Sequence, residues 1–485
     1  MNRPSGGKGY FIRLLDGSRW LLLGILSCAP WVYGGTRPWT VSFLNIVLSF
    51  TLTLWLVSLH ASGGRLRAPL AGFLASALLL AIGWGMAWNA AFIHDPGFSS
   101  FVPIRPPMPS WPGSHDSHAS FTLMHRVTVL LGVLWMAADL SRSRVWRMRL
   151  WWSVVLTGIS ISLLGLVQKV AGAKMIFWET DRLGHYFFAT FLYHGNAGAY
   201  LNLVLPWTVV LTVRSFSMGG SGARSILLPG SLVCLAAAFS HASKAAIAIS
   251  ILMMMVLAFW QGRGLLALGR SMHPVFRAIL VALVPACLVA VMASVGWQFA
   301  TQRWEFFELS KSSRLFTYEI CQRMIPDAGW FGFGPGTFGV VFDRYALMTD
   351  PGLDKVWRYA HQDYLQAMIE WGWLGAGALG LLFFGGMVAL WRQARVSRKA
   401  GLRDDAALHH ATLLALAGVA LHAMVDFPLQ IYSLQLLCAV FVGMGWGSRD
   451  WPDGLKVHRR KRRHGQSSGL EEYPGLERSH PIKRH

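Results

Sequence analysis

The chain has 485 residues, of which 54% are hydrophobic and only 14% are charged. This balance excludes an ordinary soluble domain, because apolar runs of about 18 or more residues, the length needed to cross a bilayer, recur along the chain. The net charge of +21 would suit a nucleic-acid-binding protein, but the distribution of that charge argues against this class.

In chain order, the apolar runs predict an all-α integral membrane protein with about twelve transmembrane helices over residues 1–447. The predicted spans are 20–35, 40–59, 69–93, 121–139, 150–170, 194–213, 225–240, 244–260, 276–297, 364–391, 408–426 and 431–447.

The cationic residues follow these spans. If the N-terminus is cytoplasmic and the spans alternate, most Lys and Arg residues fall in inner loops, whereas the outer loops are nearly neutral. This pattern obeys the positive-inside rule and predicts that both termini are cytoplasmic. The basic tail, 448–485, suits anionic membrane lipid better than nucleic acid, so we expect no nucleic-acid partner.

Three external segments stand out, at 94–120, 171–193 and 298–362, and the second carries Glu179, Asp181, Arg182 and aromatic residues. Residues 94–120 contain six prolines and predict an extended, partly mobile loop. Residues 298–362 form one long external loop with helix-like stretches. Within it, Trp304, Phe307, Leu315, Ile320 and Met324 have the spacing of an amphipathic helix. Loops of this length in compact proteins are usually functional.

Three candidate groups converge on this loop. His361 could act as a general base or as a neutral donor to phosphate, or it could be an ordinary interfacial histidine. Arg314 presents a planar fork of donors that suits phosphate, although a solvated loop arginine is equally consistent. Gly334 and Gly336 belong to a tight turn whose backbone amides could meet an anion; a purely structural turn is the alternative.

Further polar residues border the spans. Lys244 stands between two apolar runs, where it could meet a phosphate-bearing headgroup or extend to the interface. Arg182, together with His185 and His194, precedes the sixth span, and Asn196 begins it. Histidines nine residues apart are a poor metal signal, so hydrogen-bonding or structural roles are favoured for this group, and no metal site is predicted.

Helical spacing constrains the acidic residues. Glu370 is nine residues from His361, which places the two on opposite faces of a continuous helix and argues against a His–Glu dyad. His422 and Asp426 are separated by four residues, share a face and could pair. We therefore expect Glu370, His422 and Asp426 to be structural or orienting residues.

These motifs, taken in order over about 150–447, resemble the O-antigen ligase/polymerase family of bacterial membrane glycosyltransferases. The clearest likeness is His361-Gln-Asp-Tyr-Leu-Gln…Glu370-Trp-Gly…Gly375. The others are Gly332-Phe-Gly-Pro-Gly-Thr-Phe338, Ser313-Arg314-Leu315, His422…Asp426-Phe-Pro428 and Asn196…Tyr200-Leu201…Pro206. Two departures stand out: Lys244 replaces the family's usual arginine, and Gln362 replaces the commoner asparagine.

The resemblance implies a metal-independent, inverting glycosyltransferase without cofactors, at the outer face of the bacterial cytoplasmic membrane. Its donor would be a glycan on undecaprenyl pyrophosphate, and its acceptor a hydroxyl of lipid A core, a growing polysaccharide or a protein. His361 and Arg314 would be catalytic; Lys244, Arg182, Asn196, Gly334 and Gly336 would bind substrate.

Two alternatives stay open. A small-solute transporter is possible in principle, but it needs polar residues near the middle of the bilayer, and the spans contain few. Within the glycosyltransferase class, ligase and polymerase are not distinguished, because no motif encodes the acceptor.

Overall fold

The computed structural model describes residues 6–95, 97, 100–179, 187–217, 221–241, 243–271, 304–349 and 357–450. These residues form thirteen α-helices and one antiparallel hairpin. The helices are α1 (Gly6–Cys28), α2 (Pro38–Ala61), α3 (Leu70–Trp88), α4 (Ser117–Leu140), α5 (Arg144–Val170), α6 (His194–Ser217), α7 (Ser221–Ser240), α8 (Lys244–Ser271), α9 (Trp304–Ala328), α10 (Phe338–Thr349), α11 (Asp363–Lys399), α12 (Arg403–His422) and α13 (Tyr432–Gly447). The hairpin pairs β1 (Phe92–Asp95) with β2 (Ser100–Pro103).

Eight of these helices, α2 to α8 and α11, are long and apolar enough to cross a membrane. This confirms an all-α membrane protein and eight of the predicted spans. The predicted spans at 408–426 and 431–447 coincide with α12 and α13, but α12 is too polar to be counted among the eight, and α13 has only 16 residues. The predicted span 276–297 lies outside the described residues, so the number twelve is not confirmed.

The first predicted span, 20–35, has different bounds in the structure. The helix begins at Gly6 and ends at Cys28, two residues before Pro30. A short 3₁₀ turn follows, in which Tyr33, Gly34 and Gly35 all have positive φ angles, of 53°, 64° and 75°. A continuous helix cannot pass through residues in this conformation.

Helix α6 lies at the centre of the bundle. Every residue of its most apolar stretch is buried. Trp207 on this helix stacks on Phe441 of α13 at 4.5 Å between ring centroids and meets Trp151 of α5 edge-on at 5.6 Å. The N-terminus of α6 is therefore held firmly where it meets the candidate site.

The bundle has two distinguishable ends. At one, which we call the Arg214 end, Arg19 of α1 bonds Asp139 at the end of α4 over 3.2 Å. Here Arg214 at the end of α6 lies 3.7 Å from Asp404 at the start of α12. The other, the His361 end, contains the loops around His361.

The helix directions support the predicted topology. Helix α11 runs from the His361 end to the Arg214 end, α12 returns, and α13 runs back. Three helices, α11 to α13, thus lie between the glycine turn and residues 448–450, so these two segments are at opposite ends of the bundle. Residues 448–450 lie at the same end as the first turns of α1. Which end is cytoplasmic remains a prediction from the charge distribution.

Reporter fusions test this topology. A reporter fused after Gly336 and one fused at the C-terminus should give opposite signals, the first external and the second cytoplasmic, because of the positive-inside rule. Equal signals at the two positions would contradict the topology.

The predicted external loop contains two helices rather than only short helical pieces. In α9, Ile320 and Met324 are fully buried against Phe338 and Phe342 of α10, as the amphipathic spacing predicts. Leu315, however, is 56% exposed and does not belong to the packed face.

The proline-rich segment 94–120 is also more ordered than its composition suggests. Its start forms the β1–β2 hairpin. The buried Asn89 then donates to the carbonyl groups of Met108, Trp111 and Pro112 and accepts from the amide of Met108 at 2.8 Å. One side chain therefore fixes the extended chain beneath the external helices.

Candidate active site

The imidazole of His361 is fixed immediately before α11. Its backbone has a left-handed φ of 52°, and its carbonyl oxygen accepts a hydrogen bond from the Tyr318 hydroxyl at 3.0 Å. The ring packs edge-on against Phe427, 4.8 Å away, and its Nδ1 lies 3.4 Å from Oδ1 of Asp426. The side chain is 25% exposed, so the ring is oriented by the protein and still accessible.

The tautomer follows from this geometry. A carboxylate only accepts hydrogen bonds, so Nδ1 must carry the proton that faces Asp426. The second ring nitrogen, Nε2, has no hydrogen-bond partner in the described part of the chain. In the neutral ring it has a free lone pair, which is what a general base requires.

Asp426 lies close to the side chains of Tyr193, His361 and His422. It is buried, and its Oδ2 accepts from the Tyr193 hydroxyl at 3.1 Å and lies 3.8 Å from Nε2 of His422. The predicted pairing of His422 with Asp426 is therefore present. Burial alone would raise the pKa of the Asp426 carboxyl, but the hydrogen bond from His361 and the charges of His422, His361 and Arg314 hold it below its ordinary value. The group is consequently a carboxylate at neutral pH.

Arg314 reaches the same place from α9. Its Nη1 donates to the backbone carbonyl of Val425 at 3.3 Å, one residue before Asp426. Tyr193, beside it, has a raised pKa, mainly because the hydroxyl is buried and faces the Asp426 carboxylate, while Arg314 acts in the opposite direction. The phenol is therefore a proton donor to Asp426.

The loop between α7 and α8 places a further histidine, His241, at the His361 end. His241 is buried, accepts at Nδ1 from the amide of Ser243, and has an Nε2 without a partner in the described residues. Its electrostatic neighbours include His194 and His422, and burial is the main reason that its pKa is lowered to about 3. His241 is thus a neutral, buried ring between α6 and α12.

Lys244, Asn196 and Arg182 are the other predicted substrate-binding residues outside the glycine turn. Lys244 is exposed at the first position of α8. Asn196 is buried in the first turn of α6, where its side-chain oxygen has no partner among the described atoms. Arg182 and His185 lie outside the described residues.

The hydrogen-bond acceptor that meets the amides of the glycine turn belongs to the protein. The Glu370 carboxyl group, buried in α11, accepts from the amide of Phe338 at 3.3 Å, from the amide of Gly336 and from Gln366 at 3.0 Å. Gly334 and Gly336, with φ angles of 115° and 79°, provide the chain reversal around it. Glu370 therefore links the turn to α11, while its predicted structural role and substrate binding by the two glycines stay predictions.

A kink in α11 completes this arrangement. Gly372 has φ 60° and ψ −172°, which interrupts the helical hydrogen bonds. The freed amides of Trp373 and Leu374 donate to the carbonyl groups of Gly329 and Trp330. In return, amides of the glycine turn bond to carbonyl groups of α11 on the other side of the kink. The external helices are thereby joined to the bundle through backbone.

A cavity of about 1330 Å³ opens beside the site. Its wall includes Tyr359, whose ring stacks at 4.5 Å on Phe427, the ring against which His361 packs. The other lining residues come mainly from the hairpin, α4, α10 and the start of α11, and three arginines are among the lining residues, Arg126, Arg344 and Arg358. Its volume exceeds the usual ~300–1,000 Å³ of a small-molecule pocket.

Arg126 of α4 is the most deeply placed of these cations. It donates to the carbonyl group of Gln430 at 3.3 Å and lies over the ring of Tyr432 at 5.4 Å. Its Nε atom has no partner in the described part of the structure. The guanidinium therefore lines the cavity with a buried Nε–H that the described residues leave unpaired.

The sequence analysis did not identify Tyr193 or Arg126. Tyr193 stands directly before the His194–Asn196 segment, and an ionisable phenol at the start of a span could have drawn attention to it. Arg126 lies inside the predicted span 121–139. An arginine in a membrane span is energetically costly and usually has a function, so the sequence did contain a signal for this residue.

Among the described residues, no three His, Cys, Asp or Glu side chains lie close enough together to hold a metal ion. The metal-free mechanism nevertheless remains an expectation of the family resemblance and needs a direct test.

Comparison with known proteins agrees with the motifs. The O-antigen ligase family model matches residues 228–380, which contain Lys244, Arg314, the glycine turn, His361 and Glu370. No curated protein matches the chain. Residues 228–380 are thus similar to the O-antigen ligase family, in agreement with the motifs that the segment contains.

Proposed function

We propose that this protein transfers a glycan from undecaprenyl pyrophosphate to an acceptor hydroxyl at the outer face of the bacterial inner membrane. The observation that carries the proposal is the accessible His361 ring, oriented by a buried carboxylate and adjacent to the loop that Arg314 contacts. A base and a phosphate-binding cation at one membrane border are what this transfer needs.

In the proposed step, the acceptor oxygen attacks the anomeric carbon of the donor while its proton passes to Nε2 of His361. The bond between the anomeric carbon and the phosphate oxygen breaks, and undecaprenyl pyrophosphate leaves. Attack from the face opposite the leaving group inverts the anomeric configuration. Asp426 stabilises the imidazolium that forms, as a carboxylate does for a histidine base in other enzymes.

The leaving pyrophosphate gains negative charge in this step, and fixed cations stabilise it. Arg314 is the best-supported candidate, because it lies next to the Asp426 loop. Lys244 and Arg182 are proposed as further headgroup contacts. A lysine in place of an arginine keeps the charge but loses the bidentate fork.

The acceptor would occupy the cavity beside Tyr359. Its cations and polar groups suit a hydroxyl-rich or acidic glycan, and its size suits several sugar units. The cavity is built largely from α4, the hairpin and α10, so the first third of the chain would help select the acceptor.

Reconstituted transfer tests the function. Purified protein should release undecaprenyl pyrophosphate from a donor glycan when lipid A core or a growing glycan is supplied, with and without a chelator. Transfer to lipid A core would mark a ligase, and chain extension a polymerase. A protein that moves solutes across sealed vesicles without transferring glycan would instead be a transporter, and loss of transfer on chelation would overturn the metal-free mechanism.

Arg314→Ala should weaken use of the donor. Losing a charge-assisted hydrogen bond to phosphate costs about 1.5–3 kcal/mol, which is roughly 10- to 150-fold in donor kcat/KM. Lys244→Ala should act in the same direction, whereas Lys244→Arg should be tolerated. The measurement is transfer rate against donor concentration for the purified variants.

Arg323→Ala is the matched control, because Arg323 is on the same helix but exposed and paired with Glu319 at 2.6 Å. It should retain wild-type transfer. Wild-type transfer by Arg314→Ala would remove Arg314 from the proposed site.

A further inference from the structure

An open groove of about 850 Å³ lies between α1 and α5 at the Arg214 end, far from the candidate active site. We call it the α1–α5 groove. Its walls are mostly apolar, with Leu23 on α1 and Met148 and Leu156 on α5. Three arginines, Arg144, Arg149 and Arg214, also line it. A lipid-facing groove that combines apolar walls with clustered cations has the composition of a lipid site.

One of these arginines, Arg149, is held in place by aromatic rings. The Arg149 guanidinium lies 4.5 Å from the ring centroid of Trp146 and 4.8 Å from that of Trp20. Such cation–π contacts fix the direction of the side chain without neutralising its charge. Among the described residues, neither Arg144 nor Arg149 pairs with a carboxylate. Arg144 and Arg149 therefore give the groove positive charge that no carboxylate of the described residues balances.

The length of the groove matches one leaflet. Its lining residues on α5 run from Arg144 to Thr157, a stretch of fourteen residues, which corresponds to about 20 Å along a helix. Half of a hydrocarbon core of ~30 Å is shorter than this. The groove thus extends from the headgroup region, where the arginines are, to the middle of the bilayer.

Gly24 of α1 keeps this space open. A Cβ atom at Gly24 would have no neighbour within 4 Å. A second, smaller cavity of about 330 Å³ shares Trp20 and Gly24 and extends toward Phe43 of α2. Two apolar channels therefore flank Gly24, which is the arrangement that a lipid with two acyl chains needs.

We propose that the α1–α5 groove binds an anionic diacyl phospholipid, with its phosphate between Arg144 and Arg149 and its acyl chains on either side of Gly24. Arginine matches phosphate geometry through its fork of donors. The charge distribution predicts that this end is cytoplasmic, and basic pockets between helices on that side suit anionic headgroups. This site is independent of the glycan-transfer proposal.

Native mass spectrometry of the purified, delipidated full chain tests the proposal. Phosphatidylglycerol should be retained more strongly than phosphatidylcholine with the same acyl chains. Arg144→Gln with Arg149→Gln should weaken phosphatidylglycerol retention about 30-fold, from roughly fivefold per cationic side chain near a lipid surface. Equal retention of the two lipids by the wild type, or unchanged retention by the double variant, would overturn the proposal.

Two more variants separate lipid binding from a loss of folding. Gly24→Leu should fill the groove and displace both lipids, while its thermal stability in detergent stays at the wild-type value because the new side chain meets open space. Arg395→Gln removes another arginine that lies over a tryptophan, Trp391, at 3.6 Å but does not line the groove. This control should retain phosphatidylglycerol like the wild type; lipid bound to Gly24→Leu as to the wild type would contradict the assignment of the acyl chains.

Discussion

His361→Ala is expected to abolish detectable glycan transfer by the purified protein. A general base contributes about 10²–10⁴-fold in rate, and the accessible Nε2 of His361 is the base in the proposed step. His361→Asn is the sharper variant, because asparagine tolerates the left-handed backbone that this position requires (φ 52°). Both variants should remain inserted and should unfold near the wild-type temperature.

The glutamine variant distinguishes two roles for the ring. His361→Gln should retain some transfer if His361 only donates a hydrogen bond to phosphate, and none if the ring must accept a proton. His60→Ala is the control, since His60 is an exposed histidine at the C-terminal end of α2 and should leave transfer unchanged. Full activity of His361→Ala would refute the site assignment.

A double-mutant cycle measures whether Asp426 acts through His361. Asp426→Ala alone should lower transfer, because the imidazole loses the group that orients it and stabilises its charged form. In a His361→Ala background, the same change should cost little more, as residues that work as a unit are strongly non-additive. Additive losses from the two changes would show that Asp426 has a separate role.

The spans could be predicted from sequence because hydropathy and length are local properties. Eight of the predicted runs are helices that could cross a membrane. The prediction failed for the first span, because the end of α1 depends on a turn of positive φ angles after Pro30 rather than on hydrophobicity. The predicted span at 408–426 coincides with α12, but the polar residues of this helix keep it from being counted among the eight.

The site was predicted only in part, and for a physical reason. His361, Arg314 and the His422–Asp426 pair were identified, because each carries a recognisable local pattern. The contact between His361 and Asp426 spans 65 residues in sequence. Helical spacing can predict whether Glu370 and His361 share a face of one helix. It cannot predict whether residues on separate helices come into contact.

The glycine turn was also predicted only in part, because its partner lies on another element. Its residues predict a tight turn with exposed amides, and the turn is present. The group that these amides meet, however, is the Glu370 carboxyl from the helix that follows. That pairing depends on the break in α11, which the apolar run 364–391 does not reveal, because hydropathy is insensitive to one residue with unusual dihedral angles.

Gly372→Ala should therefore destabilise the external helices severely. The residue occupies a region of φ and ψ that is nearly restricted to glycine, which costs about 1–3 kcal/mol for another residue. An added Cβ would also lie 2.4 Å from the backbone of Phe331 and Trp330, atoms that cannot move without breaking the bonds between the turn and α11. The variant should unfold at a clearly lower temperature and lose transfer, as measured by thermal unfolding in detergent and by the donor assay.

Gly377→Ala is the matched control on the same helix, because its Cβ meets nothing within 4 Å, and alanine should stabilise the helix there by up to about 1 kcal/mol. Equal unfolding temperatures for the two variants would show that the break at Gly372 is not required, and the link between the glycine turn and α11 would have to be abandoned.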